Sequence, residues 1–458
     1  MIIQDMLRAA AYAGLKSWST NYNLFMRLST AIILLFVPIF VFAVFDCGAF
    51  AQNSAKSGAE PKSVTVPVTL DHNRIVIDVF VPLSDGSTKR VRCWVDTGDA
   101  DLWVSPRVGQ WMGLTTICNG GTCTAAPPAD KPLQIVIGGM NVSLAPATRI
   151  KVPGLRPPDS DDVMVPGIGA EIKIPSTVLR NYDVLINYPD REFGIGVPGS
   201  IPFKGVKSKM LVSAGTGFIQ IPSKIANKSY NIGLDTGSSI SFLSQELFEK
   251  LATAHPDWPH MTGAVGPANL GESFDDESKW RLLRIDRLQF GPLYLTDLAV
   301  AEFPRVPGEF FEKEAGSGAA GLIGANALMN YRVGLDYAHS TAYFDLGSTF
   351  KFPEFDVVGL VLRPGPDARF TIVGVADFEG KPSVPEVVPG ELLIAVDGIP
   401  VPDSTMGQVW SLLEGTPGQE RKLTIENGGK QFVVAAKVQH FLAEPDEDLS
   451  KEKSGKKK

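Results

Sequence analysis

Two stretches of the sequence decide the fold: Cys93-Trp-Val-Asp96-Thr-Gly98 and Ile232-Gly-Leu-Asp235-Thr-Gly237. In each stretch, apolar residues stand one and three places before the aspartate, an alternation that indicates a strand with one buried face. Trp103 and Phe242 follow their aspartates at the same spacing, again in apolar runs. Asp-Thr-Gly also suits an ordinary turn at a strand end. Two copies in matched surroundings instead predict two homologous halves, each carrying one carboxylate on a strand-end turn.

The repetition extends beyond these motifs. Leu133 to Leu144 and Leu283 to Val300 each read as strand, glycine-containing turn and strand. The segment Val178 to Tyr188 is echoed by Ala327 to Tyr337, and each contains an Asn-Tyr pair. The sequence therefore predicts a mainly β protein in which two similar halves follow one another.

These residues resemble the pepsin-like, two-lobed aspartic peptidases, which contribute one Asp-(Thr/Ser)-Gly from each lobe. Leu322-Ile323-Gly324 is similar to the family's hydrophobic-hydrophobic-Gly element, and we expect the first-half equivalent at Gly167 or Gly169. The resemblance covers roughly residues 63 to 350. It implies an N-terminal lobe over residues 63–200 and a C-terminal lobe over residues 201–350.

The resemblance implies that Asp96 and Asp235 are catalytic. Two carboxylates held close together cannot both ionise, so the pair shares one proton and titrates as a unit. One member can then deprotonate a water that attacks a peptide carbonyl, while the other protonates the developing oxyanion. Gly98 and Gly237 permit a close backbone approach. By the same resemblance, Thr97 and Thr236 brace the two loops through side-chain to backbone hydrogen bonds.

The first motif departs from the family pattern at the next residue. Pepsin-like enzymes place Ser or Thr after the glycine, where the hydroxyl supports the catalytic carboxylate. The second copy keeps Ser238, whereas the first has Asp99. Pointing inward, Asp99 would raise the apparent pKa values of the pair; pointing to solvent, it would matter little. The usual flap tyrosine is also missing between Asp96 and Asp161.

Cysteine usage and the N-terminus indicate export. The resemblance implies a disulfide between Cys118 and Cys123, with two reduced thiols as the alternative, and leaves Cys93 free and buried. Residues 1–51 read as a signal peptide with an apolar run at Ala31 to Phe45, and Met26 is an alternative start. Residues 52–62 form a linker. An uncleaved membrane anchor is the alternative, and we expect a periplasmic or extracellular protein.

Other classes of function find little support. A net charge of −7 argues against a nucleic-acid binder. The five histidines lack metal-ligand spacing, and motifs of metallopeptidases, serine hydrolases and phosphate-binding loops do not occur. We expect neither a metal nor a cofactor.

Residues 355–440 resemble a PDZ domain in the bacterial strand order. Its most specific part is Pro389-Gly-Glu-Leu-Leu-Ile-Ala-Val-Asp-Gly398, and helical spacing follows at Thr405 to Leu413. The resemblance implies peptide C-termini as partners, bound by a carboxylate loop and by strand addition beside Phe370 to Val375. That loop comprises Gly359, Leu360, Val361 and Leu362. A generic small β domain is the alternative. The charged tail at residues 441–458 is expected to be disordered.

The expected fold class is therefore mainly β: a two-lobed aspartic-peptidase fold followed by a small α+β PDZ domain. The expected function is an exported aspartic endopeptidase acting on polypeptides, with the PDZ domain recruiting substrates or regulating the enzyme. The alternative is a catalytically inactive peptide-binding or scaffold protein of the cell envelope with the same fold.

Overall fold

The computed structural model describes residues 60–119, 122–147, 149–152, 169–263, 279–303, 318–348, 355–365 and 367–442. The predicted signal peptide, most of the linker, Gly167 and nearly all of the charged tail lie outside these ranges. Within them, no helix combines the length and apolar character that crossing a membrane requires.

Strands dominate every part of the described chain. The first half contains β1 Ser63–Asp71, β2 Arg74–Pro82, β3 Thr88–Val95, β4 Leu102–Val104, α1 Pro106–Met112, β5 Thr115–Asn119, β6 Thr122–Ala126, β7 Gln134–Ile137, β8 Met140–Ser143, β9 Ile150–Lys151, β10 Ile172–Ile174, α2 Ser176–Leu179, β11 Asp183–Asn187 and β12 Glu192–Gly196. The second half contains β13 Val206–Lys209, β14 Leu211–Val212, β15 Ile219–Ile225, β16 Lys228–Leu234, β17 Ser241–Ser244, α3 Gln245–Ala254, β18 His260–Thr262, β19 Arg281–Phe290, β20 Leu293–Phe303, β21 Gly321–Ile323, α4 Ala325–Leu328, β22 Tyr331–Asp336 and β23 Thr341–Leu346. The C-terminal part contains β24 Phe355–Val357, β25 Leu360–Pro364, β26 Phe370–Val375, β27 Asp377–Phe378, β28 Lys381–Pro382, β29 Leu392–Val396, β30 Ile399–Pro400, α5 Met406–Leu413, β31 Glu420–Asn427, β32 Lys430–Lys437 and β33 Gln439–Phe441. The expected mainly β fold class is confirmed.

One large sheet joins the two halves. All strands of the first half belong to it, and the second half contributes β13, β22 and β23. The junction is the antiparallel pair β11 and β22, where Leu185 lies opposite Gly334. The remaining strands of the second half, β14 to β21, form a separate sheet. Each motif aspartate follows a strand of its own half.

The internal repeat predicted from the sequence recurs in the strand pairing. β10 runs parallel to β3 and antiparallel to β4, and β21 has the same relation to β16 and β17. The amide of Asp96 donates to the Ile174 carbonyl at 3.0 Å, as that of Asp235 does to Ile323 at 3.0 Å. Both predicted hairpins also form, as β7 with β8 and β19 with β20.

This register corrects one expectation. The first-half counterpart of Leu322-Ile323 is Lys173-Ile174. The element therefore does not lie at Gly167 or Gly169. Pro175 therefore stands where the second half has Gly324. A Cβ at Gly324 would collide with the Ile240 carbonyl oxygen, so that half requires glycine. The expectation of a glycine at Gly167 or Gly169 was wrong because the first half has a proline at this position.

The C-terminal part is a small sheet with one helix. β26 has the bounds predicted for it, and α5 begins after Thr405, whose side chain accepts from the Gln408 amide in a capping box. The core of this part is continuous with that of the second half, because Phe242 and Trp280 belong to the same buried cluster as Val361. The two parts therefore share apolar packing.

Candidate active site

The carboxyl groups of Asp96 and Asp235 meet between the two halves. They are hydrogen-bonded to each other, and the two residues are only 5% and 8% exposed. A Cβ added at Gly98 would collide with the Asp235 carboxyl group, and one at Gly237 would collide with that of Asp96. Each motif glycine therefore makes room for the aspartate of the other motif.

Backbone amides orient both carboxylates. Asp96 Oδ1 accepts from the Gly98 amide at 2.8 Å, and Asp235 Oδ1 accepts from the Gly237 amide at 2.8 Å. Asp235 Oδ1 also accepts from the Ser238 amide at 3.2 Å, while the Ser238 hydroxyl donates to the Ile240 carbonyl at 2.6 Å. Ser238 thus supports Asp235 through its N–H group, where the sequence had suggested its hydroxyl.

The two threonines cross-link the loops in a reciprocal pattern. The Thr97 hydroxyl donates to the Leu234 carbonyl at 2.9 Å and accepts from the Thr236 amide at 3.0 Å. The Thr236 hydroxyl donates to the Val95 carbonyl at 3.1 Å and accepts from the Thr97 amide at 3.3 Å. These contacts match those that the sequence analysis assigned to Thr97 and Thr236, and they fix the separation of the aspartates.

Burial dominates the electrostatics of the pair. Burial raises the pKa of Asp235 well above its usual range, and the neighbouring Asp96 carboxylate raises it further. The pKa of Asp96 is also raised by burial, against the lowering effect of the Lys173 ammonium. Asp96 raises the pKa of Asp235, whereas the hydrogen bond from Asp235 lowers that of Asp96. Because two adjacent carboxyl groups do not readily ionise together, one proton stays on the pair over a wide pH range.

The sequence left open whether the Asp99 side chain points inward or to solvent. Its orientation in the structure is intermediate. Its carboxylate forms an ion pair with Lys173, and its side chain keeps 27% of its surface exposed. Burial would raise the pKa of Asp99, but Lys173 and the Asp101 amide together bring it below the usual value. Asp99 is therefore ionised beside the pair, with a cation between it and Asp96.

Lys173 is a site residue that the sequence analysis missed. It lies in β10, is 2% exposed, and places its ammonium 3.7 Å from Asp96 Oδ2. The available signal was a lysine between Ile172 and Ile174 in an otherwise apolar strand. A cation in such a pattern indicates a buried counter-ion.

Arg74 is a second residue that the sequence analysis missed. It follows the His72-Asn73 turn, whose residues both have positive φ, and its Nε donates to the Gly237 carbonyl at 3.1 Å. Burial lowers the pKa of Arg74 to about 10, opposed by Asp71, Asp235 and Asp96. At the other end of the turn, Asp71 accepts from the Gly407 amide at 3.0 Å. One turn thus connects α5 with the Asp235-Thr-Gly237 loop.

The remaining predicted site residues lie elsewhere. Cys118 and Cys123 form the expected disulfide between β5 and β6, and Cys93 is free and buried. Burial strongly raises the pKa of the Cys93 thiol, which makes it unreactive.

The residues assigned to peptide binding belong to the C-terminal sheet. Leu360, Val361 and Leu362 are buried in β25, which ends the sheet order β25-β26-β29-β31-β32, and Gly359 precedes them. Strand addition beside Phe370 to Val375 is wrong, because β26 already pairs with β25 and β29. An added strand would have to pair with β25. The assignment to a PDZ domain stays a prediction.

In the described ranges, no group of three or more His, Cys, Asp or Glu side chains is arranged to hold a metal ion.

The similarity of this chain to known proteins is distant. No protein-family model and no curated protein matches the sequence. Among solved structures, the chain is similar to an aspartic proteinase from Irpex lacteus, over 62% of this chain and 98% of that chain, at 13% identity and a TM-score of 0.38. At that TM-score the likeness establishes neither the fold nor the function of this chain.

Proposed function

We propose that this protein is an aspartic endopeptidase that hydrolyses polypeptides with Asp96 and Asp235. The observation that carries the proposal is the mutual approach of the two buried carboxyl groups, each against the glycine of the other motif. This arrangement holds one proton between two carboxyl groups, the protonation state that acid-base hydrolysis of a peptide needs.

The reaction follows from that protonation state. The ionised carboxylate takes a proton from a water molecule as the water oxygen attacks the substrate carbonyl carbon. The protonated carboxyl group donates its proton to the carbonyl oxygen, which becomes a hydroxyl of the tetrahedral intermediate. The carboxyl group that took the proton from water then passes it to the amide nitrogen, while the other carboxylate takes back a proton from a hydroxyl of the intermediate. The C–N bond breaks, the amine and the carboxylic acid separate, and the pair again holds one proton. The hydrogen bonds of Thr97 and Thr236 keep both carboxyl groups aligned during these steps.

The proposal extends to export and to the C-terminal part. The Cys118–Cys123 disulfide supports a location outside the reducing cytosol, periplasmic or extracellular. For the C-terminal part we propose a peptide-binding role, with protein C-termini meeting the β25 edge. β25 ends its sheet, but Leu360, Val361 and Leu362 are buried, so this role requires the edge to become accessible before a peptide pairs with it.

Substitution of the two aspartates tests the proposal. We expect Asp96→Asn and Asp235→Asn each to abolish cleavage of an unfolded protein substrate, since either change removes the shared proton. Asp78→Asn is the matched control, because Asp78 pairs with Arg90 on the exposed face of β2. Circular dichroism checks that all three variants fold, and a pepstatin-type inhibitor should block the parent protein. Peptide binding without cleavage at any pH would favour the inactive peptide-binding alternative.

The pH profile gives a second test. The proton-donating carboxyl must remain protonated, and burial raises the pKa of Asp235 well above its usual value, as it also raises that of Asp96. Activity should therefore persist above the ordinary carboxyl range of about 4 and fall as the pH rises further. The measurement is kcat/KM between acidic and mildly alkaline pH. A profile that rises continuously to alkaline pH would contradict the shared-proton mechanism.

A further inference from the structure

The two halves differ in charge at one pair of equivalent positions. Ile174 and Ile323 both accept the amide of their motif aspartate, so the residues before them, Lys173 and Leu322, are equivalent. Leu322 packs in an apolar cluster, as expected for the centre of a sheet. Lys173 places an ammonium at the same point of the other half. The electrostatic field at the two aspartates is therefore asymmetric, with a positive charge on the side of Asp96 only at this pair of positions.

Several contacts hold the Lys173 ammonium in place. It forms an ion pair with Asp99 and lies 3.8 Å from the centroid of the Trp103 ring and 5.4 Å from that of Trp94. A buried ammonium requires a counter-ion and polarizable neighbours. Asp99 supplies the charge, in the position where the second loop has Ser238. Lys173 and Asp99 replace an apolar and a hydroxyl residue of the second half. They neutralise each other as an ion pair, so the presence of one explains the presence of the other.

We propose that Lys173 is a positioning residue that keeps the negative charge of the pair on Asp96 and leaves the shared proton on Asp235. This inference rests on the proposed function, and it assigns the roles within it. Asp96 acts as the base that activates water, and Asp235 acts as the acid that protonates the substrate carbonyl.

The other titratable neighbours of the pair are Arg74, Asp99 and Tyr188. Arg74, at the start of β2, interacts with both carboxyl groups and more strongly with Asp235, so it opposes the effect of Lys173. Tyr188, at the end of β11, is uncharged, because burial and the nearby Asp235 raise its pKa. Asp99 opposes ionisation of Asp96, and Lys173 lies between the two carboxylates. The ammonium 3.7 Å from Asp96 Oδ2 is therefore the group that separates the roles.

Two substitutions with opposite expected effects test the assignment. Lys173→Met removes the cation that stabilises ionised Asp96, so the acid limb of the kcat/KM profile should move to higher pH. Asp99→Ser leaves the cation without its nearer partner, so the same limb should move to lower pH. An opposite charge at this distance shifts a carboxyl pKa by about one unit or more, which corresponds to roughly tenfold in kcat/KM on the acid side. The double variant should lie between the two.

Lys151→Met is the matched control. Lys151 also lies over the Trp103 ring, at 5.4 Å, but it pairs with Asp101. Its removal should leave the acid limb in place. A purely structural role for Lys173 would lower kcat/KM at every pH without moving the limb. An unmoved limb in Lys173→Met, or equal shifts in Lys173→Met and Lys151→Met, would overturn the proposal.

A titration without substrate separates this inference from the proposed function. In the full chain with 13C-labelled aspartate carboxyl groups, Asp96→Asn and Asp235→Asn identify the two signals. We expect the first ionisation to appear mainly on Asp96 in the parent protein, and the preference to shrink or reverse in Lys173→Met. Identical titrations of the parent and Lys173→Met would refute the role of Lys173, even if the protein cleaves peptides. If the protein cleaves no peptide, the titration still decides where the charge resides.

Discussion

A methyl group at Gly98 or Gly237 would occupy space that the opposing aspartate already fills. Gly98→Ala and Gly237→Ala should therefore push the two carboxyl groups apart and cost about 1–3 kcal/mol of stability through overpacking. Because a displacement of about 1 Å can cost 100-fold in rate, we expect kcat/KM to fall by at least that factor. Urea unfolding and peptide cleavage measure the two effects. Gly215→Ala is the control, since a Cβ there meets no atom within 4 Å.

At the scale of residues, the sequence was informative where the chemistry is local. Asp96, Asp235 and the amides that orient them lie within a few residues of each other in their own motifs, so the motifs alone predicted them. Lys173 and Arg74 reach the site from strands far along the chain. Only the pairing register reveals that their side chains point toward the carboxyl groups. A single sequence does not contain that register.

At the scale of elements, the threonine cross-link should behave as one unit. In Thr97→Val the Thr236 amide loses its acceptor, and a buried donor without a partner costs about 1–3 kcal/mol. Thr236→Val should cost a similar amount for the reciprocal reason. The double variant should cost less than the sum, because the second change removes bonds that the first has already weakened. Chemical unfolding of the four proteins measures this coupling, and strict additivity would contradict it. Thr341→Val serves as a surface control.

Strands and hairpins were predictable because alternating apolar residues and glycine turns are local signals. β26, the β7–β8 hairpin and the α5 helix all appear where the sequence placed them. The order of strands within a sheet has no such local signal. That is why β26 was expected to offer an edge for peptide binding, although β25 occupies that edge.

At the scale of the whole molecule, the C-terminal part should unfold together with the second half. A chain ending at Ser348 would expose Phe242, Trp280 and Met261, which now share a buried cluster with the C-terminal sheet. Burial of one large apolar side chain contributes about 1.5–3 kcal/mol. We therefore expect the shortened protein to melt roughly 10 °C or more below the full chain. Calorimetry of both proteins is the measurement.

The matching expectation is one unfolding transition for the full chain. Two well-separated calorimetric transitions would mean that the C-terminal part is stable by itself. An unchanged melting temperature in the shortened protein would mean that the second half does not depend on the C-terminal part for its stability.

The junction of the large sheet has a consequence for the history of the chain. Leu185 and Gly334, which face each other, are equivalent positions in the repeated Asn-Tyr segments. A two-fold axis therefore passes between them, and a half-length ancestor could form the same contact with a second copy of itself. Such a homodimer would carry identical residues beside both aspartates. Joining two such copies in one chain would remove that restriction, since a single chain can keep Lys173 beside one aspartate and Leu322 beside the other.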